Sequence, residues 1–415
     1  MGSVAAPPIY TVAPFVTMLL VIAIFPLWLP RWWASNRNKL AVCVVLGLPI
    51  LALYLARRPA ALVEMAEEYV SLIILLAGLY VIAGGILLRG DLVATPLTNS
   101  VFLAVGALLA SFVGTTGASM LLVRPLLQTN RERAHVRHTF VFFIFLVSNI
   151  GGLLTPLGDP PLFLGYLQGV PFTWTFRLWV PWLVMVTALL VVYFIWDTIA
   201  YTHESLAALR RDRAQIEPLR IRGSRNAVWL GLVVMAVALL RAPWRELVIV
   251  AVAALGFWST APQIRKANGV TAYPIAEVAV LFLGIFLTMI PALELLRLRG
   301  SELLVREPWQ FFWMSGALSS FLDNAPTYLT FLALAQGLGF TAEVAGVPHA
   351  ILAALSVGAV AMGANTYIGN APNFMVKSIA EEAGVKMPSF FGYMGYSGAV
   401  LIPLFVAMTF MFFMQ

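Results

Sequence analysis

Apolar runs of about twenty residues, separated by short clusters of arginine, glycine and proline, recur from one end of the chain to the other. An α-helix of about 20 apolar residues crosses the roughly 30 Å of hydrocarbon in a bilayer. The pattern therefore predicts spans at 10–29, 40–56, 69–88, 139–168, 175–199, 227–240, 246–260, 275–296, 345–380 and 390–413. Two further apolar stretches, 97–128 and 308–337, are interrupted midway by Gly-Thr-Thr-Gly-Ala-Ser (114–119) and Leu-Asp-Asn-Ala-Pro (322–326). Broken backbone at membrane depth is tolerated only where protein or a water-filled cavity satisfies its polar groups. Each stretch therefore reads as a re-entrant helical hairpin, and the expected fold class is an all-α polytopic membrane protein.

Composition agrees, with 61% hydrophobic residues, 11% charged and a mean hydropathy of +0.89. A water-soluble domain carries about 25% charged residues, so a soluble reading is excluded. The net charge of +7 lies in loops between spans, without a nucleic-acid-binding motif, and is better explained by topology. With the N-terminus outside, the inner loops hold 17 of the 26 lysines and arginines, as the positive-inside rule requires. Localisation is expected in a bacterial inner membrane with a periplasmic N-terminus. The first residues lack the positive n-region of a cleaved signal peptide, so the first span is expected to stay in the mature protein. Single Cys43 offers neither a disulfide framework nor a cysteine-based metal site within one chain.

An internal repeat appears at an offset near 210 residues. Glu68 and the run ending Leu-Leu-Arg-Gly at 87–90 match Glu277 and the run ending Leu-Arg-Leu-Arg-Gly at 296–300. Thr-Gly-Ala-Ser at 116–119 matches Asn-Ala-Pro-Thr at 324–327, and Thr-Pro-Leu-Gly-Asp-Pro-Pro-Leu at 155–162 matches Thr-Tyr-Ile-Gly-Asn-Ala-Pro-Asn at 366–373. The expected organisation is a first half over 1–200, with hairpin 97–128 and broken helix 139–168, and a second half over 227–415, with hairpin 308–337 and broken helix 345–380. Between them lies a basic linker, 201–226, with six arginines, expected to be a solvated inner loop. The topology inverts one half against the other, with broken helices at the midplane, the arrangement that gives alternating access.

The breaks carry the chemistry. Gly, Pro, Thr and Asn interrupt helices in mid-membrane, freeing carbonyls for cations and exposing half-helix N-termini whose dipoles favour anions. Asp159 and Asp323 lie inside two of the breaks, and an ionisable group at that depth is a functional-site candidate. With Asn149, Asn324, Asn365, Asn370, Thr155 and Thr366 they form an oxygen-rich set suited to a hard cation such as Na⁺, exchangeable for protons. The alternative for each aspartate is that it only caps a half-helix. Glu68 and Glu277 read as interfacial caps, Glu294 as a partner of Arg297 or Arg299, and Asp197 as interfacial. Arg124, inside the first hairpin, could neutralise a carboxylate, contact an anion or snorkel to the inner surface.

At Ser-Asn-Ile-Gly-Gly-Leu-Leu-Thr-Pro-Leu-Gly-Asp-Pro-Pro (148–161) and Ser-Phe-Leu-Asp-Asn-Ala-Pro (320–326) the sequence resembles the ion transporter superfamily, closest to NhaD-type sodium/proton antiporters and the citrate transporters beside them. The resemblance covers most of the chain. It implies about eleven transmembrane helices plus two hairpins, a homodimer in the lipid bilayer, and a transport domain that moves as an elevator against a scaffold. It places a first site on Thr116, Ser119, Asn149, Thr155, Gly158 and Asp159, and a second on Asp323, Asn324, Thr327, Asn365, Thr366, Gly369 and Asn370. The Ser-Asn-Thr signature of divalent-anion symporters is replaced here by Thr-Thr-Gly and Asp-Asn-Ala. The first expectation is therefore Na⁺/H⁺ antiport, with Asp159 and Asp323 as Na⁺ ligands, no cofactor, and no nucleic-acid partner. The alternative is Na⁺- or H⁺-coupled transport of citrate or another carboxylate, and the third is arsenite efflux. No catalytic motif of a metalloprotease or serine hydrolase is present, so an enzyme is not expected.

Overall fold

A computed structural model describes residues 6–340 and 344–414. Residues 1–5, part of the start read as lacking a positive n-region, lie outside the described residues. The first helices are α1 (Ala13–Trp28), α2 (Pro30–Trp33), α3 (Asn36–Arg57) and α4 (Pro59–Ala83), followed by strand β1 (Leu87–Asp91). Next come α5 (Pro96–Val113), α6 (Thr115–Thr129), α7 (Arg137–Leu146), α8 (Pro160–Leu167) and α9 (Trp179–Thr202). After α10 (Leu206–Ala214) and strand β2 (Glu217–Arg222), the chain forms α11 (Arg225–Leu239), α12 (Trp244–Ser259), α13 (Pro262–Ala267) and α14 (Tyr273–Arg299). It ends with α15 (Pro308–Ser319), α16 (Asn324–Gly337), α17 (His349–Ala361), α18 (Ala371–Glu382) and α19 (Phe390–Met408). Among the described residues eight helical segments are long and apolar enough to cross a membrane, so the chain is an all-α multi-pass membrane protein.

The breaks fall where the composition changes. Between α5 and α6 the chain turns at Gly114, whose φ of 83° is the left-handed region a side chain avoids. Between α15 and α16 it turns over 320–323, and proline at position 326 is tolerated because it lies in the first turn of α16. The third break separates α7 from α8 through the 3₁₀ turn Ile150–Leu154, and the fourth separates α17 from α18 through Met362–Asn365. At Gly158 a Cβ would lie 2.1 Å from the Gly152 carbonyl, and at Gly369 it would lie 2.5 Å from the Gly363 carbonyl, so both loops close only on glycine. Burial decides why such irregular backbone survives. The segment Arg137–Leu154 is 94% buried, against 17–39% for spans such as α1, α3 and α4, so the broken helix is enclosed by protein and the others face lipid.

Apolar packing divides into two large clusters. One joins α5, α6, α7, α9, α15, α17 and α19 around the consecutive buried residues Phe140 to Leu146. The other joins α1, α3, α4, α11, α12 and α14 and reaches Phe163 of α8 and Ala325, Leu329 and Ala333 of α16. Polar ties hold α3 to α14: Lys39 pairs with Glu277, and Glu294 accepts from Arg58 at 2.8 Å and from Tyr54 at 2.9 Å. Glu294 is thus bound across helices and not by Arg297 or Arg299. Glu68 accepts from Gln168 Nε2 at 2.6 Å, and Arg297 donates to Gln168 Oε1 at 2.8 Å and to Gln336 at 3.1 Å. These side chains link α4 and α14 to the ends of α8 and α16, one tie between the two clusters.

The linker 201–226 departs from the solvated loop expected of it. It forms α10 and β2, and β2 pairs antiparallel with β1, with Leu88 opposite Ile221 and a bulge between Arg89 and Asp91. The expected span 69–88 accordingly ends at Ala83, because residues 87–91 leave the helix to build this ladder. Asp212 of α10 accepts from the Ala94 amide at 3.1 Å, pinning the linker beneath the first hairpin. Asp91 is buried with no partner on Oδ1, and that burial, with Glu132 and Asp212 beside it, pushes its pKa up to about 6. A carboxyl raised this way stabilises the fold when protonated, and the contribution is lost as pH rises from about 4 to about 6. Asp91→Asn is therefore expected to raise hydrogen-exchange protection of 87–91 at pH 7.5 over the parent protein and to leave it equal at pH 4.

Candidate functional site

All four breaks meet at one carboxylate. Asp159 precedes α8 in extended conformation yet makes no side-chain bond to its own helix, and it is only 1% exposed. Its Oδ1 accepts from Thr115 Oγ1 at 2.8 Å, at the tip of the first hairpin, and from Asn370 Nδ2 at 3.2 Å, before α18. Its Oδ2 accepts from Asn324 Nδ2 at the tip of the second hairpin. The first residues of α6 and α16 and the residues preceding α8 and α18 thus meet through two carboxylate oxygens, which brings four half-helix N-termini to one buried centre.

Amides knit the two broken helices together around this centre. Asn149 donates to the Ile144 carbonyl at 2.8 Å and to Asn373 Oδ1 at 2.7 Å, while Asn370 donates also to the Ser148 carbonyl at 3.1 Å and to Asn149 Oδ1 at 3.3 Å. Asn373 returns bonds of 2.9 Å to the carbonyls of Gly363 and Thr366. Thr155 and Thr366 do the same work in the two halves. Each hydroxyl donates to a carbonyl of the neighbouring hairpin, Ser111 for Thr155 and Ser320 for Thr366, and accepts the amide two residues on. Ser119 and Ser148 hydroxyls lie 2.8 Å apart, joining α6 to the break after α7.

Asp323 is placed differently. It is half-buried, its carboxylate accepts the Ala325 amide at 3.0 Å, and it therefore caps α16. Thr327 donates back to the Asp323 carbonyl at 3.0 Å, a bond within its own helix. Asn365 donates to Ser320 at 2.9 Å. Two buried oxygens here, Asn324 Oδ1 and Asn365 Oδ1, have no hydrogen-bond donor. Of the residues expected from sequence, Asn149, Asp159, Asn324 and Asn370 form one bonded network, Ser119, Thr155, Asn365, Thr366, Gly158 and Gly369 surround it, Asp323 caps α16, and Thr327 bonds only within that helix. Thr116 lines a small cavity of about 70 Å³ between the first hairpin and α4 and α14, and the hydroxyl that reaches Asp159 is that of Thr115. Thr115, Ser148 and Asn373 escaped sequence reasoning. Thr115 and Ser148 each adjoin an identified residue, while Asn373 was visible only as the end of a repeat match.

Arg124 does not reach this centre. It donates to the Asn268 carbonyl at 2.9 Å, joining α6 to the connection after α13. Asp197, expected at the interface, is fully buried instead and held by Arg133 at 2.6 and 3.0 Å and by His138 at 2.9 Å.

A buried polar centre built from broken helices inside a multi-pass helical fold defines a membrane transport protein. Within that class the chain belongs to the family described as putative citrate transport, whose pattern matches residues 4–413. No curated protein matches the chain.

Proposed function

We propose that this protein is a secondary active transporter of citrate or a closely similar carboxylate, coupled to Na⁺ or H⁺. The observation that carries the proposal is the meeting of four half-helix N-termini at Asp159. Each N-terminus is equivalent to roughly half a positive charge, about two in all, which Asp159 and Asp323 balance while both are ionised. Neutralising a carboxylate with a proton or a Na⁺ leaves the dipoles uncompensated, and the site then favours an anion. Cation and carboxylate therefore bind better together than apart, which is the requirement for symport. The family match to citrate transport over nearly the whole chain supports the same reading.

The unit around α7 and α17 moves with the site in this proposal, and the unit around α4 and α14 is the static partner. In this proposal the halves are an inverted repeat, the protein sits as a homodimer in a bacterial inner membrane, and the face bearing β1, β2 and α10 is cytoplasmic. Reconstituted proteoliposomes should accumulate radiolabelled citrate when an inward Na⁺ or proton gradient is imposed. Failure under both gradients rejects the proposal.

A second reading, Na⁺/H⁺ antiport, is favoured by the donorless oxygens of Asn324 and Asn365 close to the Asp159 network, which suit a hard cation. In everted vesicles it requires that added Na⁺ dissipate a preformed proton gradient without citrate, and a gradient that persists rejects it.

A further inference from the structure

A cavity of about 770 Å³ lies at the other ends of the helices that build the site, within the range of roughly 300–1,000 Å³ usual for small-molecule pockets. The end of α6, the start of α7 and the end of α18 form its walls, and its polar lining is dominated by Arg124, Arg131, Arg133, Arg137 and Lys386, against one carboxylate, Glu382. Two of these cations are already neutralised: Arg131 pairs with Glu132 at 2.8 Å, and Arg133 with Asp197 at 2.6 Å. The other three have no carboxylate within salt-bridge distance among the described residues. Arg124 donates only to a backbone carbonyl, and Arg137 donates through Nε to the Lys386 carbonyl at 2.6 Å, which sets the two chains side by side and leaves their remaining donors open. Three cations without a carboxylate partner among the described residues thus line one basin from three sides, and an anion between them would offset their repulsion.

We propose that this basin binds a compact oxyanion, carried by a phosphate- or carboxylate-bearing small molecule or by the headgroup of an anionic lipid. Each guanidinium offers an oxyanion a bidentate fork, and the ammonium adds a point charge. The occupant would act on transport as well as bind. α6 begins at Thr115, α7 leads to Asn149, and α18 begins after Asn370, so the three walls of the basin carry three members of the Asp159 network at their far ends. Clamping the walls together biases the site without touching it. The inference does not depend on which substrate is transported.

The test is titration calorimetry of the purified full-length protein with inorganic pyrophosphate, in nanodiscs of neutral lipid and in nanodiscs containing phosphatidylglycerol. Saturable binding that weakens with salt is expected in neutral nanodiscs. The double variant Arg137→Gln/Lys386→Gln should weaken it by roughly tenfold or more, and Arg137→Lys/Lys386→Arg should retain it, which separates lost charge from lost folding. Binding should need neither citrate nor a coupling-ion gradient, so failure of the transport reading leaves this one standing. Binding abolished in phosphatidylglycerol identifies a lipid headgroup as the occupant, and binding that persists identifies a soluble anion. Absence of saturable binding, or binding undiminished in the Gln double variant, overturns the proposal.

Discussion

Asp159→Asn should eliminate coupled transport while leaving a folded protein. Asparagine has nearly the shape of aspartate, so Thr115 and one of the two amides keep an acceptor, and the loops around Gly158 are undisturbed. What disappears is the only charge on which four helix N-termini converge, and with it the group that takes up and releases the coupling cation. The expected fall is at least roughly 100-fold in initial rate, the scale of removing a positioned proton-transfer group. Asp323→Asn should behave differently although both residues occupy breaks. Asparagine caps a helix about as well as aspartate, so α16 keeps its first turn, and only the charge balance of the site changes. Its half-saturation should shift by less than roughly tenfold with the maximal rate nearly preserved. Equal loss of rate in the two variants, measured with matched amounts of folded transporter in proteoliposomes, would remove Asp159 from its central role.

That inequality between two aspartates was not legible in the sequence, although the breaks were. Gly114, the Asn-Ala-Pro after Asp323 and the two Gly-Asp/Asn-x-Pro loops announce themselves because glycine, proline and asparagine or aspartate cluster there within a few residues, whereas single prolines such as Pro49, Pro291 and Pro403 stay inside continuous helices. The lipid-facing spans were legible for a related reason, since hydropathy and length suffice where the only constraint is solvent. Which atom points where was not. Thr115, and not Thr116, meets Asp159 just after the turn at Gly114, whose positive φ the sequence does not fix. The ladder of β1 and β2 was hidden as well. Its residues, Leu-Leu-Arg-Gly-Asp and Glu-Pro-Leu-Arg-Ile-Arg, look like a span end and a charged loop, and only their pairing across the first half makes them strands. Asp197 was misplaced for the same reason: its partners Arg133 and His138 lie 64 and 59 positions away.

Asp197→Ala is expected to cost more stability than any substitution in the site. Asp197 accepts two bonds from Arg133, one from His138 and a weak one of 3.3 Å from Asn99, which itself exchanges a pair of 2.9 Å bonds with Asn130. The carboxylate therefore fastens α9 to the starts of α5 and α7 and to the end of α6. Arg133 and Asp197 are 5% and 0% exposed, so truncation leaves a guanidinium buried against a cavity, with Glu204, 3.7 Å from its Nε, as its remaining carboxylate among the described residues. Breaking a buried pair in this way costs about 3–5 kcal/mol, whereas replacing both members with apolar side chains of similar volume is often close to neutral. Thermal unfolding in detergent should show a large drop in midpoint for Asp197→Ala and recovery of most of it in Arg133→Met/Asp197→Leu. If the double variant is no better than the single, the network holds these helices through shape and the His138 contact, and the ion pair is not what joins α9 to the first hairpin.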